Sequence, residues 1–302
     1  MFISTQIETK KSIHSVVVLC FLCLLSSNTF ADNKCKPLMV GLLPDDNTEI
    51  ILDRFEPVRQ RIEKAIGCPV IVAIPAMGKN HTYEDLVKHF IEGKIDVAYL
   101  GGLSYVKAAS KIPTSLIAMR KKDTKFRSYF IAQRSLNIKS LKDLKGHSFA
   151  FGSSSSTSGH LMPRHYLMEK GINPSKDFKG EERFSGTHGN TLRMVMSGQV
   201  DAGVLNSNVY DRYLQEGKID TSKVEVVWVT PGYSDYIWVS RESLNETQKN
   251  KLSEFFINLT PGSNEDSRIL KLLEANYYIS PKPKMFSTLR KVATKLNMIM
   301  DK

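Results

Sequence analysis

Short apolar runs alternate with stretches of helical period along almost the whole chain, and this alternation leaves few architectures open. Leu38-Met39-Val40-Gly41-Leu42-Leu43 is the first run, stopped by Pro44-Asp45-Asp46. Ile51, Phe55, Val58, Ile62 and Ile66 then recur every three or four residues as far as Gly67, the spacing of one buried helix face. Pro57 is expected to kink that helix or to open its second part. A second strand, Val70 to Ile74, leads through a glycine-containing loop to a helix from about Tyr83 to Glu92. Strand and helix in strict succession predict an α/β fold, with parallel sheets covered by helices.

Two similar units divide the chain. The stretch from Leu86 to Ala98 and the stretch from Leu192 to Gly203 both read as a helix closed by a glycine (Gly93, Gly198) and followed by a strand that begins near one aspartate (Asp96, Asp201). Each half therefore holds its own helix-to-strand unit, and both aspartates are expected to be turn anchors rather than acids. Ser128 to Gln133 and Tyr236 to Ser240 read as strands between the halves. The expected organisation is two lobes joined by two hinge strands: residues 32–131 completed by 235–302, and an inserted lobe 132–234 with strands near 148–151, 200–205 and 224–229.

Residues 1–31 have the pattern of an export signal. Lys10 and Lys11 precede an apolar run from Val16 to Leu25, and Thr29-Phe30-Ala31 offers a cleavage site after Ala31. The run is about half the roughly 20 residues that a membrane span needs. Cys20, Cys23 and Cys35 lack the small preceding residues of a lipid-attachment site. A soluble, periplasmic mature chain is expected. It keeps Cys35 and Cys68, an even count in an oxidising compartment. Each lies just before a strand, so if those strands are parallel neighbours a Cys35–Cys68 disulfide can form, and the alternative is two buried thiols. The 302-residue chain has a formal charge of +11, spread without a Lys/Arg block or basic-aromatic interleaving. Nucleic acid is thereby disfavoured as a partner, and an anionic ligand, an acidic membrane surface or a generic basic surface remains.

The strongest local signal is Phe149-Ala150-Phe151-Gly152 followed by Ser153-Ser154-Ser155-Ser156-Thr157-Ser158-Gly159. A serine run out of context is a linker. Here a strand feeds it and a helix leaves it after Leu161-Met162-Pro163, which places it at the carboxyl end of a strand, where open α/β sheets bind ligands. Helix-start N–H groups together with the hydroxyls of Ser156, Thr157 and Ser158 suit a tetrahedral oxyanion. Gly186-Thr187-His188-Gly189 repeats the arrangement and puts His188 at a helix start. Asp235, on the returning strand, is placed to face a cleft. There is no G-x-S-x-G, H-E-x-x-H or C-x-x-C motif and no P-loop lysine, and His160 and His165 fall off a common helical face. No catalytic residue, metal or cofactor is assigned.

The residues from Gly93 to Gly102, with Tyr99 among them, resemble those of the phosphate/phosphite/phosphonate-binding proteins of ABC importers. So do Ser156-Thr157-Ser158-Gly159-His160-Leu161-Met162-Pro163, Gly186-Thr187-His188 and Val200-Asp201-Ala202-Gly203. The resemblance implies a type II periplasmic-binding fold, a monomer that holds a small oxyanion between its lobes, and an inner-membrane ABC permease as partner. It matches Ser156, Thr157 and Ser158 to the family's anion cradle, His188 to an anion-contacting histidine, and Tyr83 to a cleft aromatic. Asp235 matches with a one-residue change in its spacing to Arg241. Where relatives for aminoethylphosphonate place a cleft carboxylate, this chain has Asn206 and Asn208, which speaks against an amino-bearing ligand. The stretch from Thr230 to Tyr236 also resembles a branch labelled as selenate binders. Two rival readings stay open: a sensor that binds the same anions and reports to a kinase, and a hydrolase using a loop serine with His188.

Overall fold

The computed structural model describes residues 35–44, 47–73 and 82–300. The export segment expected at 1–31, with Cys20 and Cys23, lies outside the described residues. In chain order the elements run β1 (Leu38–Leu42), α1 (Thr48–Ile66), β2 (Val70–Ala73), α2 (Tyr83–Ile91), β3 (Val97–Leu100), α3 (Gly102–Ala109), β4 (Thr114–Arg120) and β5 (Ser128–Gln133). They continue with β6 (Phe149–Phe151), α4 (Met162–Glu169), α5 (Pro174–Asp177), β7 (Arg183–Phe184), α6 (His188–Met196), β8 (Ala202–Asn206), α7 (Ser207–Gln215) and β9 (Val224–Val229). The chain ends with β10 (Ile237–Arg241), α8 (Glu246–Ile257), α9 (Asn264–Leu272), β11 (Tyr278–Ile279) and α10 (Ser287–Lys295).

The strands form two sheets. One has the order β11-β4-β10-β3-β1-β2, the other β7-β6-β8-β5-β9. β1 pairs parallel to β2 and β3, and β6 pairs parallel to β7 and β8, while β10 and β5 run antiparallel to their neighbours. β5 pairs only within the second sheet and β10 only within the first. The chain therefore changes sheets between β4 and β5 and again between β9 and β10. The six-stranded sheet with its helices is called lobe one below, and the five-stranded sheet with its helices lobe two.

Local chemistry explains the elements. Asn47 caps α1 by accepting from Glu49 N–H, the expected face of Ile51, Phe55, Val58, Ile62 and Ile66 is buried, and Gly67 closes the helix with φ 72°. α1 continues through Pro57 as one helix rather than two. In lobe one Trp238 stacks on Phe256 at 4.9 Å and on Phe55 at 5.9 Å. Truncating a buried aromatic of this kind costs about 3–5 kcal/mol.

The paired units share one device. Gly93 and Gly198 both take positive φ, 81° and 76°, where a side chain would be strained. Asp96 accepts from Met39 N–H at 2.9 Å, and Asp201 accepts from Ser148 N–H at 2.9 Å. Each aspartate thus ties its strand to the start of the neighbouring strand, as turn anchors would. β1 and β2 begin side by side, and Cys35 and Cys68 are disulfide-bonded with Cα atoms 5.4 Å apart. Closing a loop of 33 residues stabilises the fold by roughly 3–4 kcal/mol in the chain-entropy model. Among the described residues, no helix is long and apolar enough to cross a membrane.

Candidate functional site

The carboxyl ends of β3, β6 and β8 and the amino end of β10 lie on the edges where the two lobes meet, and the site is built there. β6 runs through Gly152 into the serine loop, and a single π-type turn, Thr157–Leu161, leads into α4. Such turns leave the first N–H groups without partners inside the helix and often mark functional sites.

The three loop hydroxyls have separate tasks. Ser156 Oγ accepts from Gly159 N–H at 2.9 Å, so it caps the turn. Thr157 Oγ1 crosses between lobes and accepts from Leu103 N–H at 2.8 Å. Ser158 Oγ is buried with no hydrogen-bond partner. Around them the loop is pinned to lobe one: Ser154 donates to Glu84, Lys107 Nζ donates to Ser155 Oγ at 2.6 Å, and Ser104 Oγ donates to the Ser155 carbonyl at 3.2 Å. Burial raises the Glu84 carboxyl, but hydrogen bonds from Ser154 and Ser155 prevail and hold it below its ordinary value. His160 tethers the loop from behind. Its Nε2 accepts from Arg164 Nε at 2.9 Å, so Nδ1 carries the proton and donates to the Ser154 carbonyl, also at 2.9 Å. Burial pushes this imidazole down to about 4, so it is neutral at physiological pH.

His188 opens α6 and is fully buried, with Thr187 capping the helix through Asn190 N–H. The backbone N–H of Asn206 donates to His188 Nδ1 at 3.2 Å. A backbone amide can only donate, so the imidazole is the neutral tautomer protonated at Nε2, 3.4 Å from the Tyr83 hydroxyl. Tyr83 is itself buried at the start of α2.

Asp235 completes the group. Oδ1 accepts from Gly102 N–H at 2.8 Å, whereas Oδ2 is buried without a partner. Burial pushes this carboxyl from 3.8 up to about 7, against hydrogen bonds from Gly102 and Thr157 that favour the ionised form.

Of the remaining expected residues, Asn206 meets the cradle only through the backbone N–H that holds His188. Asn206 Oδ1 caps α7 by accepting from Asn208 N–H and Val209 N–H, at 2.7 and 3.3 Å, and its Nδ2 donates to Tyr236 Oη at 2.7 Å. Its side chain is thus engaged within the protein. Tyr99, Asn206, Asn208 and Tyr236 line a neighbouring cavity of about 60 Å³. There Tyr99 and Tyr236 stack at 5.4 Å, and the Arg120 guanidinium lies within 5.5 Å of both rings while paired with buried Asp123 at 2.6 Å.

Sequence reading missed Arg120, Glu84, Lys107 and Leu103, and quoted Gly102 only as part of the family-like stretch. It also missed Glu274, whose carboxylate accepts from Arg54 Nη1 at 2.7 Å in lobe one and from Arg212 Nη1 at 2.8 Å in lobe two. Of these only Gly102, in the Gly101-Gly102 pair, stood out in the sequence, and in the structure a Cβ there would sit 2.3 Å from Leu289 Cδ1. Among the described residues, no group of three His, Cys, Asp or Glu side chains is placed to hold a metal ion.

Comparison with known proteins bears on this geometry. Residues 40–286 match the family model described as ABC transporter, phosphonate, periplasmic substrate-binding protein. A relative from Prochlorococcus marinus (strain MIT 9301), named a probable ABC transporter phosphite binding protein, is 35% identical, and the match covers 91% of this chain and 94% of the relative. A solved structure of that organism's protein in complex with methylphosphonate superposes with a TM-score of 0.82 at 34% identity, covering 87% of this chain and 99% of the other. The phosphate-import protein of Mycolicibacterium smegmatis (strain ATCC 700084 / mc(2)155) is 24% identical, over 76% of this chain and 74% of its own.

Proposed function

Because the chain belongs to the family of periplasmic substrate-binding proteins of phosphonate ABC transporters, we propose that it captures a small phosphorus oxyanion between its lobes. It then presents the closed complex to an inner-membrane ABC permease. The observation that carries this reading is the pair of buried, unpartnered oxygens in the cradle, Ser158 Oγ and Asp235 Oδ2. Unsatisfied buried polar atoms are costly and call for a partner. A ligand that satisfies both must accept from a hydroxyl and share a proton with a carboxyl. A phosphorus oxyanion bearing a P–OH does both: one oxygen takes the Ser158 hydroxyl, and its own hydroxyl donates to Asp235. His188 Nε2–H and the Tyr83 hydroxyl supply further donors, and the free N–H groups at the starts of the Thr157 turn and α6 supply fixed dipoles.

The same proton explains closure. An empty closed cleft buries Asp235, so at high pH its ionised form opposes closing. A protonated ligand removes that penalty, and Thr157, bonded to Leu103 across the lobes, ties occupancy of the loop to lobe position. The segments 121–127 and 230–236, where the chain changes sheets, are the proposed hinge, and the protein is proposed to work as a monomer. Residues 1–31 direct export and are removed. No step needs covalent chemistry or a cofactor, and the relatives are substrate-binding components of transporters.

Calorimetric titration of the mature protein with phosphate, phosphite, methylphosphonate and selenate tests the reading. At least one phosphorus ligand should bind with one-to-one stoichiometry, and more tightly than selenate at pH 6, where the phosphorus ligands carry a P–OH and selenate does not. Selenate binding alone would overturn it.

A further inference from the structure

The two segments in which the chain changes sheets, 121–127 and 230–236, are bonded to each other along their length. Asp235 N–H donates to the Asp123 carbonyl at 2.9 Å, Phe126 and Tyr233 exchange backbone hydrogen bonds at 2.7 and 3.0 Å, and Thr230 N–H donates to the Ser128 carbonyl at 3.1 Å. Ser128 N–H returns a bond to Thr230 Oγ1 at 2.9 Å. The connection between the sheets is therefore a two-stranded ribbon rather than two independent links. Asp235, which carries one of the two unpartnered oxygens of the cradle, is part of it.

The other unpartnered oxygen belongs to Ser158, on the serine loop, and side chains of the ribbon reach that residue. Ser128 Oγ lies 2.7 Å from the Ser158 carbonyl and 2.5 Å from Tyr233 Oη, and all three residues are buried. Valence fixes the direction of the protons. A carbonyl can only accept, so the one hydroxyl proton of Ser128 goes to Ser158, and Tyr233 must supply its own proton to Ser128. Burial raises the Tyr233 phenol well above its ordinary value, so that proton stays in place. The relay from Tyr233 through Ser128 to the Ser158 carbonyl has a single sense, and each bond polarises the next. Tyr233 is left with no proton to offer an anion.

We infer that Tyr233 and Ser128 are positioning residues: they fix the Ser158 backbone to the ribbon that bears Asp235, and so set the spacing of the two oxygens that hold the anion. The inference deepens the proposed oxyanion function and rests on it. No hydrogen bond holds Ser158 Oγ itself, so its place depends on its backbone, and the relay is what ties that backbone to the ribbon. A binding constellation keeps its affinity only while its groups stay within about 0.5 Å of the productive geometry, held by supporting hydrogen bonds of this kind.

The test is a double-mutant cycle on the mature, disulfide-bonded protein, read by calorimetric titration with phosphite at pH 6. Tyr233→Phe keeps the ring and removes the proton that holds Ser128, and Ser128→Ala cuts the relay at its centre. Each should weaken phosphite binding by about three- to tenfold, the loss of one neutral hydrogen bond. In a Ser158→Ala background the same changes should cost less than about twofold, because the oxygen that they position is gone. An equal loss with and without the Ser158 hydroxyl would show that the two residues act on the fold at large, and overturns the inference. So does unchanged affinity in the single variants. Either variant completes the cycle if the other fails to fold. Failure of the wild type to bind phosphate, phosphite or methylphosphonate would instead overturn the oxyanion reading, and the relay's role with it.

Discussion

The cradle and the arginine cluster are neighbouring polar regions between the same two lobes, yet they are built on opposite rules. In the cradle around Ser158, His188 and Asp235 the described hydrogen bonds of His188 and Asp235 come from backbone N–H groups and hydroxyls, and two buried oxygens lack partners. The cluster of Arg54, Arg120, Arg212, Asp123 and Glu274 is dense in charge, and its carboxylates are engaged by arginines from both lobes. Burial raises the Glu274 carboxyl, yet Arg54, Arg120 and Arg212 together hold it below its ordinary value. The difference teaches where specificity can reside. A region left deficient in partners waits for a ligand, whereas a region whose charges already answer one another holds the lobes together and sets the field for whatever lies beside it.

The largest effect expected to break this contrast comes from Thr157→Ala. It removes the acceptor of Leu103 N–H across the lobes and the hydroxyl beside Asp235. Loss of a hydrogen bond in a charged site costs about 1.5–3 kcal/mol, and the stranded N–H adds to it. Affinity for phosphite should fall by about tenfold to more than a hundredfold with thermal stability nearly unchanged. Calorimetry that finds Thr157→Ala unaltered would move the anion away from the loop.

The second effect is pH-dependent and belongs to Asp235. Its carboxyl is raised in the closed state, so its contribution to closing an empty cleft is fully present below about 4 and is lost as pH rises through about 7. The whole difference amounts to roughly 4 kcal/mol. An anion without a proton at neutral pH, such as selenate, needs Asp235 protonated. Its affinity should fall about tenfold per pH unit between about 4 and about 7, whereas a ligand that still carries its own proton over that range should lose little. Asp235→Asn should flatten the selenate profile. A steep profile that survives the substitution would place the titrating group elsewhere.

The third effect, smaller, is at His188. Its Nδ1 is fixed by Asn206 N–H, so Nε2–H is its donor, next to the Tyr83 hydroxyl. His188→Ala should weaken phosphite binding by about tenfold, as loss of one hydrogen bond to a charged group implies. His188→Gln should recover part of it, since a glutamine amide can donate from nearly the same reach. Equal loss in both variants would show that the ring acts by packing alone.

How much of this was legible follows from the same contrast. The cradle was readable because its residues are adjacent in sequence and sit at helix starts: Ser156-Thr157-Ser158 before α4 and Thr187-His188 before α6. Strand alternation and the glycine-closed units exposed both sheets, and the even cysteine count pointed to the disulfide. The division of labour within the serine loop was not readable, because whether a hydroxyl caps, crosses or waits depends on backbone N–H groups from a distant segment. For Asn206 the sequence left two readings, a ligand contact or a cap of the turn after Leu205, and its side chain does cap α7 and also donates to Tyr236. The arginine cluster was invisible: Arg54, Arg120, Arg212 and Glu274 come from four separate places in the chain, each an ordinary charge in its local sequence. β4 and β11 went unseen as well, since β4 begins with half-buried polar residues and β11 spans only Tyr278–Ile279.

The smallest effect tests whether the cluster contributes to closure at all. Glu274 accepts from Arg54 in lobe one and Arg212 in lobe two, but these side chains are about one fifth to one quarter exposed, so solvent screens part of the interaction. For phosphite, Glu274→Gln should weaken binding only by a few-fold, corresponding to about 1 kcal/mol or less. The loss should shrink as salt is raised, because screening already weakens the bridge in the wild type. Titrating phosphite into both proteins at low and high ionic strength separates the contributions. A loss that is large and independent of salt would mean that Glu274 shapes the cradle directly, and the two regions would then have to be treated as one site.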